Sequence, residues 1–295
     1  MSELTRRQFL TISSAALGLS AAGCVARPLA VRSPYASMIP ERDTATVVND
    51  VHSQLNATRV SSIVKPQTVD EVRRAIGDAC ARGQSISAAG GRHAMGGQQF
   101  GEASVLVDMR GLNRVLSFDA ERGHVIVESG IEWPELIGFL NRFQQPGDPQ
   151  WGIYQKQTGA DRLSLGGALA CNAHGRGLAL KPIVQQVEAF DLVGPSGAVR
   201  TCSRAENADL FRLAIGGYGL FGIVTRVQLK LRPRVKVRRV VRLGETPAIM
   251  AALEDRIRDG YLYGDFQFAT DSGRESFLAR GVFSCYQPVP ANTPG

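Results

Sequence analysis

From residue 61 onward, hydrophobic and polar positions alternate between two periods, one of strands and one of helices. Ile63-Val64 predicts a short strand. After Pro66, Thr68-Val69-Asp70-Glu71 has the form of a helix start, a threonine followed three residues later by glutamate. Val72, Ala75, Ile76 and Ala79 then recur at helical spacing until Gly83 ends the stripe. Residues 85–88, Ser-Ile-Ser-Ala, predict a second strand that runs directly into a glycine-rich loop. Residues 105–108 and 125–129 read as strands and Trp133–Phe143 as a helix; Val187–Val193, turned by Pro195-Ser196-Gly197 into residues 199–201, reads as a hairpin.

Beyond Leu231 the pattern changes to a strand reaching Leu243, a helix near 248–258, and strands around 266–268 and 281–283. The predicted class is α+β, with no internal repeat and no low-complexity linker. The densest basic run, Lys230, Arg232, Arg234, Lys236 and Arg238, alternates with Leu229, Leu231, Pro233, Val235 and Val237, which predicts one strand with a wet face.

Composition narrows the picture. With 44% hydrophobic and 21% charged residues in 295, the chain should fold as a globular protein, neither disordered nor polytopic. The net charge of +7 would permit contact with nucleic acid. The cations lie on a strand-like alternation and no aromatic-basic platform accompanies them, so no nucleic-acid partner is expected. Cys24, Cys80, Cys171, Cys202 and Cys285 are widely spaced and form no metal-type motif, so no metal site is expected. One disulfide among them is compatible with export, but an odd, scattered set is not a disulfide framework.

At the N-terminus, Thr5-Arg6-Arg7-Gln8-Phe9-Leu10 precedes a mildly apolar stretch, 12–23, rich in Ala, Ser and Gly and too short to span a bilayer comfortably. Residues 1–26 resemble a twin-arginine export signal, which implies the twin-arginine machinery as a partner and a periplasmic or exported location. Ala21-Ala22-Gly23-Cys24 resembles a lipoprotein box lacking its leucine, which makes Cys24 a candidate lipid-anchor position, while Cys24-Val25-Ala26 would serve an ordinary signal peptidase.

Three segments carry candidate chemistry. Residues 88–98, Ala-Ala-Gly-Gly-Arg-His-Ala-Met-Gly-Gly-Gln, follow a strand with glycines that let the backbone approach a ligand and turn N–H groups toward an anion. This is neither the dinucleotide fingerprint G-x-G-x-x-G nor a Walker loop. Residues 161–175 contain Ser164, Gly166-Gly167 and Ala173-His174-Gly175; residues 214–227 contain Gly216-Gly217-Tyr218-Gly219-Leu220-Phe221-Gly222-Ile223. Each segment taken alone is also compatible with a plain structural turn. Their order and spacing together resemble the vanillyl-alcohol oxidase and p-cresol methylhydroxylase flavoprotein family over residues 55–234.

The resemblance implies a PCMH-type FAD-binding domain of two α/β subdomains at 55–234, followed at 235–295 by the beginning of an incomplete substrate domain. It implies FAD as the cofactor, with Gly90, Gly91, Arg92, Ala94 and Gln98 in the pyrophosphate loop and His93 as the covalent anchor to the flavin 8α-methyl. It places Ser164, Gly166 and Gly167 on the pyrophosphate side, His174-Gly175 near the isoalloxazine, and Ile223 at the adenine edge. Ala173 departs from the threonine of polyol and aldonolactone oxidases. No cysteine lies between Trp133 and Ser164, so attachment through His93 alone is expected. The implied activity is oxidation of a CH–OH group of a small sugar, polyol or lactone by hydride transfer to flavin N5. Amine or cytokinin-like CH–NH oxidation and a non-catalytic flavin-binding module are the alternatives. No catalytic base is assigned, because in the resembling families it comes from the substrate domain.

Overall fold

The structure, a computed structural model, describes residues 46–145, 147 and 149–294. The export-type segment and Cys24 lie outside the described residues. The chain opens with β1 (Thr46–Val48) paired antiparallel to β2 (Thr58–Val60). Then β3 (Ser62–Val64), helix α1 (Val69–Ala81), β4 (Ile86–Ala89) and β5 (Val105–Asp108) form a small α/β layer in which β5 lies between β3 and β4, parallel to both. Helix α1 begins where the pattern placed it: the Thr68 side chain accepts from the Glu71 N–H at 3.2 Å, and the Glu71 carboxylate reaches back to the Gln67 N–H at 2.6 Å. Its stripe of Val72, Ala75 and Ile76 packs on Val107, Met109 and Leu112, with Val193 and Ile223 of the next layer joining the same cluster. Parallel strands need such a crossover helix to cover a face.

That next layer is a five-stranded antiparallel sheet. Its members are β6 (Val115–Asp119), β7 (His124–Glu128), β9 (Val187–Val193), β10 (Val199–Ser203) and β11 (Ile223–Lys230), in the order β10-β9-β11-β7-β6. Strand β11 alternates buried and half-buried side chains along its length, the period-two signature of one face on the core. Helix α2 (Trp133–Phe143) starts with a reciprocal capping box between Glu132 and Glu135. Together with the short helix α3 (Leu165–Ala170) and α4 (Ala208–Ala214) it covers that face, and Trp133, Leu136, Leu140, Leu165, Leu169, Phe190, Leu229 and Leu231 form the largest core.

The basic run around residue 234 does not form the one predicted strand. Strand β11 stops at Lys230, β12 (Arg232–Pro233) pairs instead with β8 (Trp151–Gly152), and pairing resumes only in β13 (Val237–Glu245). Pro233 lacks an N–H to continue a ladder, and Arg234, Val235 and Lys236 are exposed. Strand β13 pairs with β15 (Arg280–Pro288), which also pairs with β14 (Tyr263–Phe268); helix α5 (Ile249–Arg258) packs on this sheet through Ile249, near Phe283 and Cys285. Cys80, Cys171, Cys202 and Cys285 are all unpaired.

Candidate cofactor cavity

The three glycine-bearing segments converge on one cavity of about 350 Å³. The first follows β4, so the strand's C-terminal end delivers the loop 90–98 to the cavity wall. The second is the start of α3: Ser164 caps it, its hydroxyl accepting from the Gly167 N–H at 3.3 Å, and the Gly166 N–H donates to the Ser129 carbonyl at 2.6 Å. The third runs from α4 into β11 and rests on the end of α3, with the Gly216 N–H donating to the Leu169 carbonyl at 3.1 Å and the Tyr218 N–H to the Ala170 carbonyl at 2.9 Å. Ser129, at the end of β7, ties the second wall to the third through its hydroxyl, which donates to the Val224 carbonyl at 2.6 Å.

The first two walls touch where glycine is required. A Cβ on Gly90 would lie 1.8 Å from the Ser164 Oγ, and one on Gly91 would lie 2.3 Å from the Arg162 carbonyl oxygen. The next residue, Arg92, adopts a left-handed φ of 59°, a conformation that costs a non-glycine residue energy and turns the backbone inside the loop.

The charges at this wall are organised around Asp108, the last residue of β5 and 2% exposed. Its carboxylate accepts from Arg110 at 2.6 and 2.9 Å and from Arg92 at 3.5 Å. Burial pushes the Asp108 carboxyl up, but the Arg110 hydrogen bonds and the two guanidinium charges hold it below its ordinary value. Arg92 lines the cavity with its Nε buried and without a partner; the Gln99 amide, also lining it, has both polar atoms buried and unpartnered. Burial and the neighbouring His52 hold His93 below the ordinary imidazole value, so it is neutral near neutral pH; the Arg162 carbonyl and the Glu132 charge oppose them more weakly. Burial also pushes the Cys171 thiol up, so the one cysteine on the wall stays protonated.

Of the residues singled out in the sequence, Gly90, Gly91, Arg92, His93, Ala94, Gln98, Ser164, Gly166, Gly167 and Ile223 all line this cavity. His174 and Gly175 do not. After α3 ends, Asn172 takes a left-handed φ of 46°; Gly175 then turns to the Gln155 side chain, its N–H donating to Oε1 at 3.2 Å, and His174 is exposed. Residues that the sequence reading did not name also reach the wall: Gln99, next to Gln98; Ser129, read only as a strand end; and Met109.

A buried cationic nitrogen and a free amide around a backbone cradle are what an anionic, heterocyclic ligand requires. Residues 60–203 match the FAD binding domain family. The chain is also 31% identical over 170 residues to an uncharacterised oxidoreductase of the fasciation locus of Rhodococcoides fascians, covering 57% of this chain and 37% of that protein. It is 28% identical to L-gulonolactone oxidase of Mus musculus, covering 58% of this chain and 37% of the oxidase. It is 30% identical to cytokinin dehydrogenase 4 of Oryza sativa subsp. japonica, covering 76% of this chain and 39% of the dehydrogenase. The chain thus spans well under half the length of these relatives. The matched residues include the loop 90–98 and the Ser164 wall, and the residues present fit FAD: a glycine loop pressed against the Ser164 wall, with unpartnered Arg92 and Gln99 groups lining the cavity.

Proposed function

We propose that this chain is the flavin-holding part of an FAD-dependent oxidoreductase that oxidises a CH–OH group of a sugar, polyol or lactone. One observation carries the reading: three glycine-bearing segments, from separate elements, close on a single cavity. In this reading Gly90, Gly91, Arg92, Ala94 and Gln98 hold the pyrophosphate with Ser164, Gly166 and Gly167. Ile223 meets the adenine, and His93 is a covalent anchor. Bound FAD supplies a two-electron acceptor; the protein's part is to bind it, exclude water and orient it. Residues 55–234 make up the FAD-binding part and 235–295 open a substrate domain. The mouse oxidase, named for a lactone, supports the CH–OH assignment; the rice cytokinin dehydrogenase supports CH–NH oxidation as the second reading. We also infer export through residues 1–26, on the Arg6-Arg7 pair.

The test is anaerobic mixing of the FAD-loaded full chain with a panel of aldonolactones, polyols and amines, following the visible flavin band. Bleaching by lactones or polyols is expected. Bleaching by amines alone would select the second reading, and no bleaching by any of them would contradict oxidation by this chain. For export, fractionation should find the protein outside the cytoplasm, and the pair Arg6→Lys with Arg7→Lys should retain it inside.

A further inference from the structure

The sheet β13-β15-β14 has two faces of opposite chemistry. Residues paired directly across strands share a face, and Val240, Cys285, Phe283 and Phe266 lie on the one that packs against α5. The other face carries Arg239, Tyr286, Ser284, Asp265 and Gln267, with Val241 and Leu243 along its outer strand. Its polar groups hold one another in place. The Arg239 Nε donates to the Ser284 hydroxyl at 2.8 Å, and its guanidinium lies 6.0 Å from the centre of the Tyr286 ring. The Asp265 carboxylate accepts from the Gln267 amide at 3.0 Å and from Arg176 at 3.1 Å. Arg239, Val241, Leu243 and Gln267 are exposed, and Arg239 pairs with no carboxylate among the described residues.

A seam joins this sheet to the cofactor cavity. Gly177 bridges Tyr263, the Gly264 N–H donates to the Arg176 carbonyl at 2.9 Å and the Leu178 N–H to the Leu262 carbonyl at 3.0 Å, so residues 176–178 extend the sheet beside β14. The Gln155 Oε1 accepts from the Gly175 and Gly177 N–H groups at 3.2 and 3.0 Å, and the Tyr263 hydroxyl donates to the Tyr154 carbonyl at 2.6 Å. Gln157, just after Gln155, and Cys171, just before the 175–178 stretch, both line the cavity. The face thus adjoins the Gln157–Cys171 side of the cavity. A hydroxyl group both donates and accepts, and the face offers both functions: guanidinium donors on Arg239, carboxylate oxygens on Asp265 and an amide on Gln267. An unpaired guanidinium repels a substrate that carries an ammonium. We propose that this face recognises the substrate, with Arg239 and Gln267 as specificity-determining residues that select a polyhydroxylated sugar, polyol or lactone over an amine. The inference rests on the oxidation reading given above and names the side chains that choose between its two substrate classes.

The experiment is anaerobic bleaching of the FAD-loaded full chain by xylitol, D-gluconolactone and n-butylamine, each over a range of concentrations, so that half-saturating concentration and limiting rate are read separately. In Arg239→Ala the half-saturating concentration of the preferred polyol or lactone should rise about ten- to a hundredfold, the worth of a hydrogen bond to a charged group. Flavin content should stay at the wild-type level, because Arg239 does not line the cofactor cavity. Arg239→Lys, which keeps the charge, should recover part of the affinity, and Arg239→Glu should move the preference toward n-butylamine. Gln267→Ala, at an exposed position, should raise half-saturation by a smaller factor. Unchanged half-saturation in both Arg239→Ala and Gln267→Ala would overturn the proposal. So would flavin content falling in step with substrate affinity, which marks a structural role. Wild-type protein bleached by n-butylamine alone would overturn the selectivity assigned to Arg239, whereas FAD-loaded wild type that none of the three bleaches would overturn the oxidation reading itself, and this proposal with it.

Discussion

The two opposing walls of the cavity are held in different ways. The Ser164 wall is made locally: Ser164 caps its own helix, Gly166 bonds the end of a strand, and Leu165, Ala168 and Leu169 are sunk in the largest core. The loop 90–98 has no such foundation. Around it lie ion pairs to Asp108 and a clamp from residues 50–56, held by polar groups and two buried carboxylates. A wall set in a hydrophobic core responds to volume, and a wall set by hydrogen bonds responds to protonation and to the loss of single partners. The proposed anchor of this cavity sits on the second kind, where small changes of charge alter reactivity without dismantling the fold.

Gly90→Val should have the largest effect, because it forces the two walls apart where a Cβ would meet Ser164 at 1.8 Å. Overpacking costs about 1–3 kcal/mol, and the flavin content of the purified variant should fall to background; a variant that keeps wild-type flavin content would show that the walls do not meet as described. Next, Asp108→Asn removes the charge shared by Arg92 and Arg110. Because Arg110 is half-exposed, we expect a loss of about 1–2 kcal/mol, below the range for a fully buried pair, measured by thermal melts near neutral pH. The sign of its pH dependence follows from the lowered carboxyl. The stabilisation is complete above the unfolded value of about 3.9 and is lost as pH falls through the lower folded value, so the melting curves of variant and wild type should converge in strong acid.

Ser164→Ala should cost about 1 kcal/mol by removing the cap, with no change in pH dependence, since the hydroxyl it removes does not titrate. The smallest effect is expected at His93. The unfolded chain takes up its proton near pH 6.5 while the folded protein resists until a lower pH, so wild-type stability should decline as pH falls through that window. His93→Ala should flatten that decline in paired melts between neutral and mildly acidic pH.

The same contrast explains what could be read from the chain in advance. Helix α1 was legible because Thr68, Glu71 and its apolar stripe are neighbours in sequence, and α2 was legible as the helix Trp133–Phe143, though its Glu132–Glu135 capping box was not read in advance. The Ser164 wall was singled out only through its resemblance to a flavoprotein segment, since its small residues taken alone are compatible with plain backbone packing. The clamp was not, because Asp50, Ser53 and Asn56 lie in a stretch without periodicity and act on Met95 some forty residues away. Alternation misled at Arg232–Pro233, where proline and the partner strand Trp151–Gly152 decide the pairing; His174-Gly175, singled out through the resemblance alone, follow a left-handed Asn172 and do not line the cavity.

The central claim is that the three segments enclose FAD, and flavin content tests it most directly. Full-length protein incubated with FAD and desalted should show the visible flavin spectrum at one FAD per chain, with Gly90→Val colourless under the same treatment. Colourless wild-type protein that is folded by thermal melt and has been given excess FAD would contradict the account.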